Sequence, residues 1–486
     1  MKEFLKDLEK AIGTVNGYLA DYVLVFLLVG VGLYFTIRTR FVQVRCFGEG
    51  LKNVFSRKKS VDGKKKGGIS SFQAFTTAVA AQVGTGNIIG ACGAILVGGP
   101  GAIFWMWIIA FFGMATIYAE AVLAQKTRKT DADGTIHGGP VFYIRTAFRG
   151  KFGKFLAGFF AVAVIVSLGF VGSMVQSNAI SSSVASAGGY NYEKWGWIVG
   201  LLVAVLAAVI FIGGAKRIAS FTEKVVPIMA IIYLLGGLVI LCVNVTALPK
   251  AFWYIIKYAF APNAILGGGL GYALKKTISM GAKRGLFSNE AGMGSTPHAH
   301  ALANVKTAHE QGTVAMISVF IDTFVVITMT ALIVISSLYV KNPETVSTVS
   351  DGTMVKTAIG SLFRFSDVGL TIGAIFVAVC LAFFAFSTII SWNLFGRINF
   401  EYLFGKKSSL VYSILAVVFI FLGSLLSNGL VWNFSDFFNY LMVIPNAVAL
   451  VALSKMVVAE VKSKGKAQSG KMLDVALSEE KPKDAE

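Results

Sequence analysis

Long apolar stretches of roughly membrane-spanning length recur along the chain, and this pattern limits its fold more than any other feature. A helix crossing a hydrocarbon core of about 30 Å needs roughly 20 predominantly apolar residues. Without water nearby, the main chain of a spanning segment must satisfy its own hydrogen bonds, which leaves helices or closed barrels. Eleven stretches qualify: approximately 21–37, 72–97, 102–125, 155–182, 195–212, 225–245, 266–301, 313–340, 368–392, 410–426 and 434–457. The seventh is the weakest, because Lys275, Lys276, Lys283, Arg284 and Glu290 interrupt it; it reads as a short surface helix followed by a broken span. The expectation is an all-α polytopic membrane protein with about 11 transmembrane helices and lipid as its solvent.

The formal net charge of +19 invites a nucleic-acid reading, but the basic residues lie between apolar spans and form no separate basic domain. They gather in alternate loops: 38–66, 126–154, the Lys216-Arg217 turn, 397–407, and the tail beyond Lys455. The positive-inside rule makes these loops cytoplasmic, with the N-terminus outside and the C-terminus inside, in agreement with an odd number of spans. Residues 1–21 carry acids among their lysines and no small-residue cleavage site, so the first stretch reads as a mature span and not a signal peptide. Residues 459–486 read as a polar, disordered cytoplasmic tail. Cys46, Cys92, Cys242 and Cys380 show neither a disulfide framework nor a CxxC site and read as packing residues.

Two runs of polar residues and glycine fall where a spanning helix has little use for them. Ala80-Ala81-Gln82-Val83-Gly84-Thr85-Gly86-Asn87 lies in the second stretch and Ser288-Asn289-Glu290-Ala291-Gly292-Met293-Gly294-Ser295-Thr296-Pro297 in the seventh. Each glycine weakens a helix by about 1 kcal/mol relative to Ala, and irregular backbone at this depth survives only inside protein or beside a water-filled cavity. Close helix packing through small residues would account for one such run. Two runs five spans apart point to a pair of interrupted helices at corresponding positions of two repeats, the arrangement carriers use for binding sites. Setting aside the first span leaves five plus five. This divides the chain into an extra N-terminal helix with its basic loop (1–68), a first repeat (69–245), a second repeat with outer loop helices (246–458) and the tail.

Gly98-Gly99-Pro100-Gly101-Ala102-Ile103-Phe104-Trp105-Met106-Trp107, followed by Gly113, resembles the signature of the alanine or glycine:cation symporter family. Gly138-Gly139-Pro140 and Ser288-Asn289-Glu290-Ala291-Gly292 extend the likeness, which runs from about residue 69 to 453. The resemblance implies a LeuT-type 5+5 inverted repeat with one added N-terminal helix, in a prokaryotic plasma membrane. It also implies sodium-coupled uptake of alanine (D or L) or glycine, with no cofactor beyond the coupling ion. Trp105 and Trp107, just after a Gly-Gly-Pro turn, suit interfacial anchors.

An amino-acid zwitterion needs donors for its carboxylate and acceptors for its ammonium, away from bulk water. A break in the second stretch supplies both: freed amides at Thr85 and Gly86 for the carboxylate, and freed carbonyls near Gln82, with that residue's own amide, for the ammonium. Carried onto this sequence, the resemblance places a sodium ion among the carbonyls of Ala80, Val83 and Phe384 and the hydroxyls of Ser387 and Thr388. The alternative, held second, is that those hydroxyls bond backward to carbonyls of their own helix. Trp392, one turn beyond Thr388, is a pocket cap or plain packing. The resemblance also implies that the third core helix passes the substrate at Gly169 and Phe170, where Gly169 would permit close approach and Phe170 would narrow the pocket or simply pack.

Asp322 lies well inside the eighth stretch, where a carboxylate serves an ion or proton pathway or ties helices together. Glu120 favours a structural role, and Asn289 with Glu290 pose the same choice as Asp322. His137, His298, His300 and His309 lie in or near predicted cytoplasmic segments, and none has the i, i+4 spacing of a zinc-protease helix. A proton-coupled carrier and a non-transporting amino-acid sensor of the same fold are the alternatives to sodium symport. An intramembrane enzyme is disfavoured, since no nucleophile elbow or H-E-x-x-H occurs, and a channel has no positive signature.

Overall fold

In the computed structural model, which describes residues 2–55, 67–261, 269–426 and 428–463, helices account for nearly all regular structure. In chain order the elements used below are α1 (Asp7–Arg38), α2 (Phe47–Phe55), α3 (Ser71–Gln82), α4 (Gly86–Gly98), α5 (Ala102–Thr127), α6 (Gly150–Gly188), α7 (Tyr192–Phe211) and α8 (Gly214–Val243). They continue as α9 (Leu248–Phe260), α10 (Leu270–Asn289), α11 (Pro297–Ala301), α12 (Ala308–Val340), α13 (Met354–Ser361), α14 (Asp367–Phe404), α15 (Lys406–Gly423), α16 (Gly429–Ala452) and α17 (Ser454–Ser463).

Among the described residues nine helices are long and apolar enough to span a membrane, and the bent pair α3 with α4 makes ten. The remaining expected span is α10, whose basic residues take it out of that set. Its charges have partners: Arg284 lies 4.5 Å over the Trp432 ring and 3.6 Å from Asp436 Oδ2, and Lys275 Nζ donates to Tyr22 at 3.0 Å. Other boundaries shift outward. The stretch expected at 368–392 continues to Phe404, where an Arg397–Glu401 pair at 2.8 Å supports the last turns and Gly405, at φ +82°, ends the helix. Residues 459–463, expected in the disordered tail, belong to α17, which Glu460 fastens to Lys126 of α5 at 2.7 Å. The rest of that tail lies outside the described residues.

Helix α5 is deeply embedded, with α1, α10 and α12 packed on it, while α6 and α14 form a second closely packed pair. Near one end of the bundle, Ile69 donates its amide to Leu302 O at 3.0 Å and accepts from Asn304 N at 2.9 Å, forming a short parallel bridge between the approach to α3 and the exit from α11. A two-residue antiparallel hairpin, Lys129–Thr130 with Ile136–His137, follows α5.

The glycine-rich turn ahead of α5 seats α9. A Cβ on Gly101 would lie 2.2 Å from the main chain of Tyr258 and Ala259, and Trp105 Nε1 donates to Ala259 O at 3.1 Å. Trp107 Nε1 donates to Thr328 Oγ1 at 2.9 Å, so both indoles expected as interfacial anchors bond within the protein. Gly101→Ala therefore forces backbone apart and should destabilise the protein by about 1–3 kcal/mol. Gly158→Ala, where nothing lies within 4 Å of the added carbon, is the matched control. Thermal unfolding in detergent should show a lowered Tm for the first variant only.

Candidate functional site

Both polar, glycine-bearing runs interrupt their helices. Helix α3 ends at Gln82, Val83 is extended (φ −84°, ψ 91°), and α4 resumes from Gly86 at an angle of 50°. Helix α10 ends at Glu290 (φ 56°), the chain passes through Gly292 (φ +88°) and Gly294 (φ +79°), and α11 begins at Pro297. The left-handed angles explain the two glycines. Glu290 lacks that freedom and is held there by its side chain, which accepts from Ser295 Oγ and Trp392 Nε1, each at 2.5 Å.

Backbone groups released by the breaks find buried side chains, as their depth requires. In the first break Gly84 N donates to Asn87 Oδ1 at 2.9 Å and Thr85 N to Gln176 Oε1 at 3.2 Å. In the second, Ala291 N donates to Asn289 Oδ1 at 3.1 Å, and one carboxylate, Glu120, accepts from Gly292 N at 3.1 Å and Gly294 N at 3.0 Å. Asn446 completes that arrangement, donating to Glu120 Oε1 at 2.6 Å and to Gly292 O at 2.9 Å.

The two breaks face each other. Gln82 Nε2 donates to Asn289 O at 2.8 Å, and a Cβ on Gly86 would lie 3.3 Å from Ser288 Cα. Asp322 joins both, its Oδ1 accepting from Asn87 Nδ2 at 2.6 Å and from Ser288 Oγ at 2.9 Å, while Thr323 Oγ1 donates to Oδ2 at 2.9 Å. Glu120, Glu290 and Asp322 are all fully buried, and among the described residues no Lys, Arg or His forms an ion pair with any of them.

Helix α14 meets the first break at Thr388. Its hydroxyl lies 2.8 Å from Ala80 O, 3.0 Å from Phe384 O and 3.3 Å from Val83 O. A hydroxyl has one proton to donate, so three carbonyl oxygens from two helices converge where one donor cannot serve them all. A Cβ on Gly84 would come within 2.6 Å of the same hydroxyl, which accounts for the glycine. Ser387 Oγ bonds back to Phe384 O at 2.9 Å and touches Met229 Sδ at 3.4 Å. Nearby, Gln82 Oε1 and Thr85 Oγ1 are buried and have no hydrogen-bond partner among the described residues, so an acceptor and a hydroxyl are left for a polar occupant.

Gln82, Thr85, Gly86, Thr388 and Trp392 thus gather around the breaks together with Ala80, Val83 and Phe384. Gly169 and Phe170 are turned elsewhere. A Cβ on Gly169 would meet Tyr412 Oη at 2.4 Å, and the Phe170 ring stacks on Phe419 and Tyr412 with centroids 4.6 and 5.7 Å away. Helix α6 instead approaches with Gly172, against the Trp392 ring, and with Gln176. Gln176 was missed in the sequence, although an amide within an otherwise apolar span is itself a signal. Asn446, in the last span, is a second case.

Two interrupted helices facing one another at mid-bundle, with freed main-chain groups and unpartnered polar atoms between them, define a secondary carrier. The comparisons agree. The model of the sodium:alanine symporter family matches residues 5–475, and the chain belongs to that family. Among its relatives, the sodium/alanine symporter AgcS of Methanococcus maripaludis is 40% identical over 458 residues, covering 94% of this chain and 97% of AgcS. The probable sodium/glutamine symporter GlnT of Bacillus subtilis is 37% identical, covering 94% of this chain and 90% of GlnT. The crystal structure of MhsT in complex with L-phenylalanine is similar with a TM-score of 0.58 at 14% identity, covering 82% of this chain and 97% of that one. This likeness places the chain in the LeuT-type fold.

Glu120 is the anchor of the second break. Glu120→Ala leaves two buried amides without their acceptor, at about 1–3 kcal/mol each, and should lower Tm by several degrees and weaken ligand binding. Glu120→Gln keeps one acceptor oxygen and should fall between. Equal Tm and binding for wild type and the alanine variant would remove this role.

Proposed function

We propose that the protein imports alanine, as the D- or L-form, or glycine by symport with sodium, using the facing breaks as a shared site. The observation that carries this reading is the convergence of the Ala80, Val83 and Phe384 carbonyls on the Thr388 hydroxyl. A sodium ion there takes those three oxygens together with the Thr388 hydroxyl, and Ser387 supplies a fifth when it turns from Met229. Uncharged oxygen ligands hold the ion without introducing a full countercharge. The zwitterion's ammonium is received by Gln82 Oε1, and its carboxylate by the Thr85 hydroxyl and the main chain at Gly86. In this reading Gln176 releases the Thr85 amide to the carboxylate. Trp392, with Phe287 against its ring, limits the space left for a side chain.

Each ligand orders the stretch that the other uses, so binding is mutually reinforcing: whatever factor sodium adds to alanine affinity, alanine adds to sodium affinity. Alternating access then follows from movement of the α3/α4 and α10/α11 pairs against the helices around them, with residues 69–245 and 246–458 as the two inverted repeats. In this reading the C-terminal side faces the cytoplasm of a prokaryotic cell, an orientation that the basic loops support.

Asp322 favours a second reading in which the coupling ion is a proton, because this buried carboxylate without a basic partner joins both breaks. Purified protein in liposomes separates the two. An inward sodium gradient at equal pH should drive accumulation of radiolabelled alanine, and a pH gradient without sodium should not; the opposite pattern would replace sodium by the proton. Thr388→Val should reduce sodium affinity by about tenfold or more, the effect of losing one charge-dipole contact of about 1.5–3 kcal/mol. Unchanged sodium affinity in that variant would move the ion elsewhere.

A further inference from the structure

A second cluster of ligating side chains lies outside the facing breaks. Cys46 follows α1 and directly precedes α2, Glu49 lies in the first turn of α2, and His309 is the second residue of α12. The cysteine sulfur, a glutamate oxygen and a ring nitrogen of the histidine all lie within 4.8 Å of one another. We propose that these three residues form a binding site for a borderline divalent transition metal of the zinc class, separate from the transport site.

The donor set carries the choice of metal. Thiolate, imidazole and carboxylate together suit Zn²⁺ and its neighbours, whereas Na⁺, Mg²⁺ and Ca²⁺ prefer oxygen alone. Three protein ligands leave the fourth tetrahedral position to water. Ligand atoms around zinc sit roughly 3.3–3.8 Å apart, as metal-ligand distances of about 2.0–2.3 Å require. The cluster therefore closes by about 1 Å on binding, a movement available to Glu49, whose side chain is 49% exposed.

The histidine is already held as a ligating imidazole is held. His309 is buried, and its Nδ1 is within 2.6 Å of Tyr118 Oη, while Nε2 lies on the other side of the ring, 3.4 Å from Glu49 Oε2. With the Nδ1 proton donated to Tyr118, the Nε2 lone pair faces the cluster, and an outer partner of this kind orients metal-bound histidines generally. The main chain is fixed as well: His309 N donates to Glu460 Oε1 at 3.1 Å, and Lys126 is paired with the other oxygen of that carboxylate at 2.7 Å. The neighbouring cation Arg45 is committed to the carbonyls of Arg40 and Thr39, at 2.6 and 2.9 Å. Binding converts the Cys46 thiol to a metal thiolate and releases its proton to solvent. The metal then fastens the α1–α3 connection to the base of α12.

The test uses full-length, tag-free protein in detergent. Zn²⁺ is titrated in competition with a chromophoric chelator, and Co²⁺ is added separately to read the thiolate-to-metal charge-transfer band. One equivalent of Zn²⁺ should bind, Co²⁺ should give the band, and Cys46→Ser should abolish the band and weaken Zn²⁺ binding by about tenfold or more, the scale of a disrupted metal site. His309→Gln should weaken binding likewise, and Cys242→Ser, at an exposed cysteine elsewhere, should change neither readout. Unchanged alanine binding and an unchanged elution profile check that Cys46→Ser is folded. Absence of saturable Zn²⁺ binding to the wild type, or equal affinity in the folded Cys46→Ser protein, would overturn the proposal.

Discussion

Everything distinctive in this molecule follows from the penalty for leaving a main-chain amide or carbonyl unpaired in hydrocarbon. Most of the chain meets that demand with unbroken helices. Where α3 and α10 stop partway, side chains take over: Asn87 and Gln176 at the first interruption, Glu120, Asn289 and Asn446 at the second. Polar residues that are expensive at this depth are therefore concentrated where they substitute for missing helical bonds.

The same logic separates two kinds of buried carboxylate. Glu120 caps amides that the second break cannot pair internally, the role of a helix-terminal acceptor moved onto a neighbouring helix. Asp322 receives side-chain donors from α4, α10 and its own helix, and so reports the relative position of both interrupted pairs. Glu290 holds Trp392 from within the second break. One carboxylate sets a local conformation, whereas the other two connect separate elements.

Much of this was legible in the sequence. Apolar lengths reveal the helices, and two glycine-bearing polar runs at matching positions reveal the breaks, because periodicity and helix propensity are local properties. The convergence at Thr388 came from the family resemblance, which supplied a fold in which α14 passes α3. Charges weaken the span expected at 266–301, since hydropathy cannot register that Arg284 is met by Asp436 and Trp432. The direction in which Phe170 points was equally illegible: a one-residue rotation on α6 decides between the breaks and α15, and only packing against Tyr412 and Phe419 fixes it. The Cys46–Glu49–His309 cluster joins residues about 260 positions apart, beyond the reach of any spacing rule.

The bridge between Ile69 and the segment around Ala303 has a mechanical consequence. It consists of main-chain bonds, so its strength does not depend on which side chains occupy those positions. It joins the ends of α3 and α11 remote from the two interruptions, where both half-helices reach the same face. Tilting either half-helix thus applies a torque to the other through a common pivot.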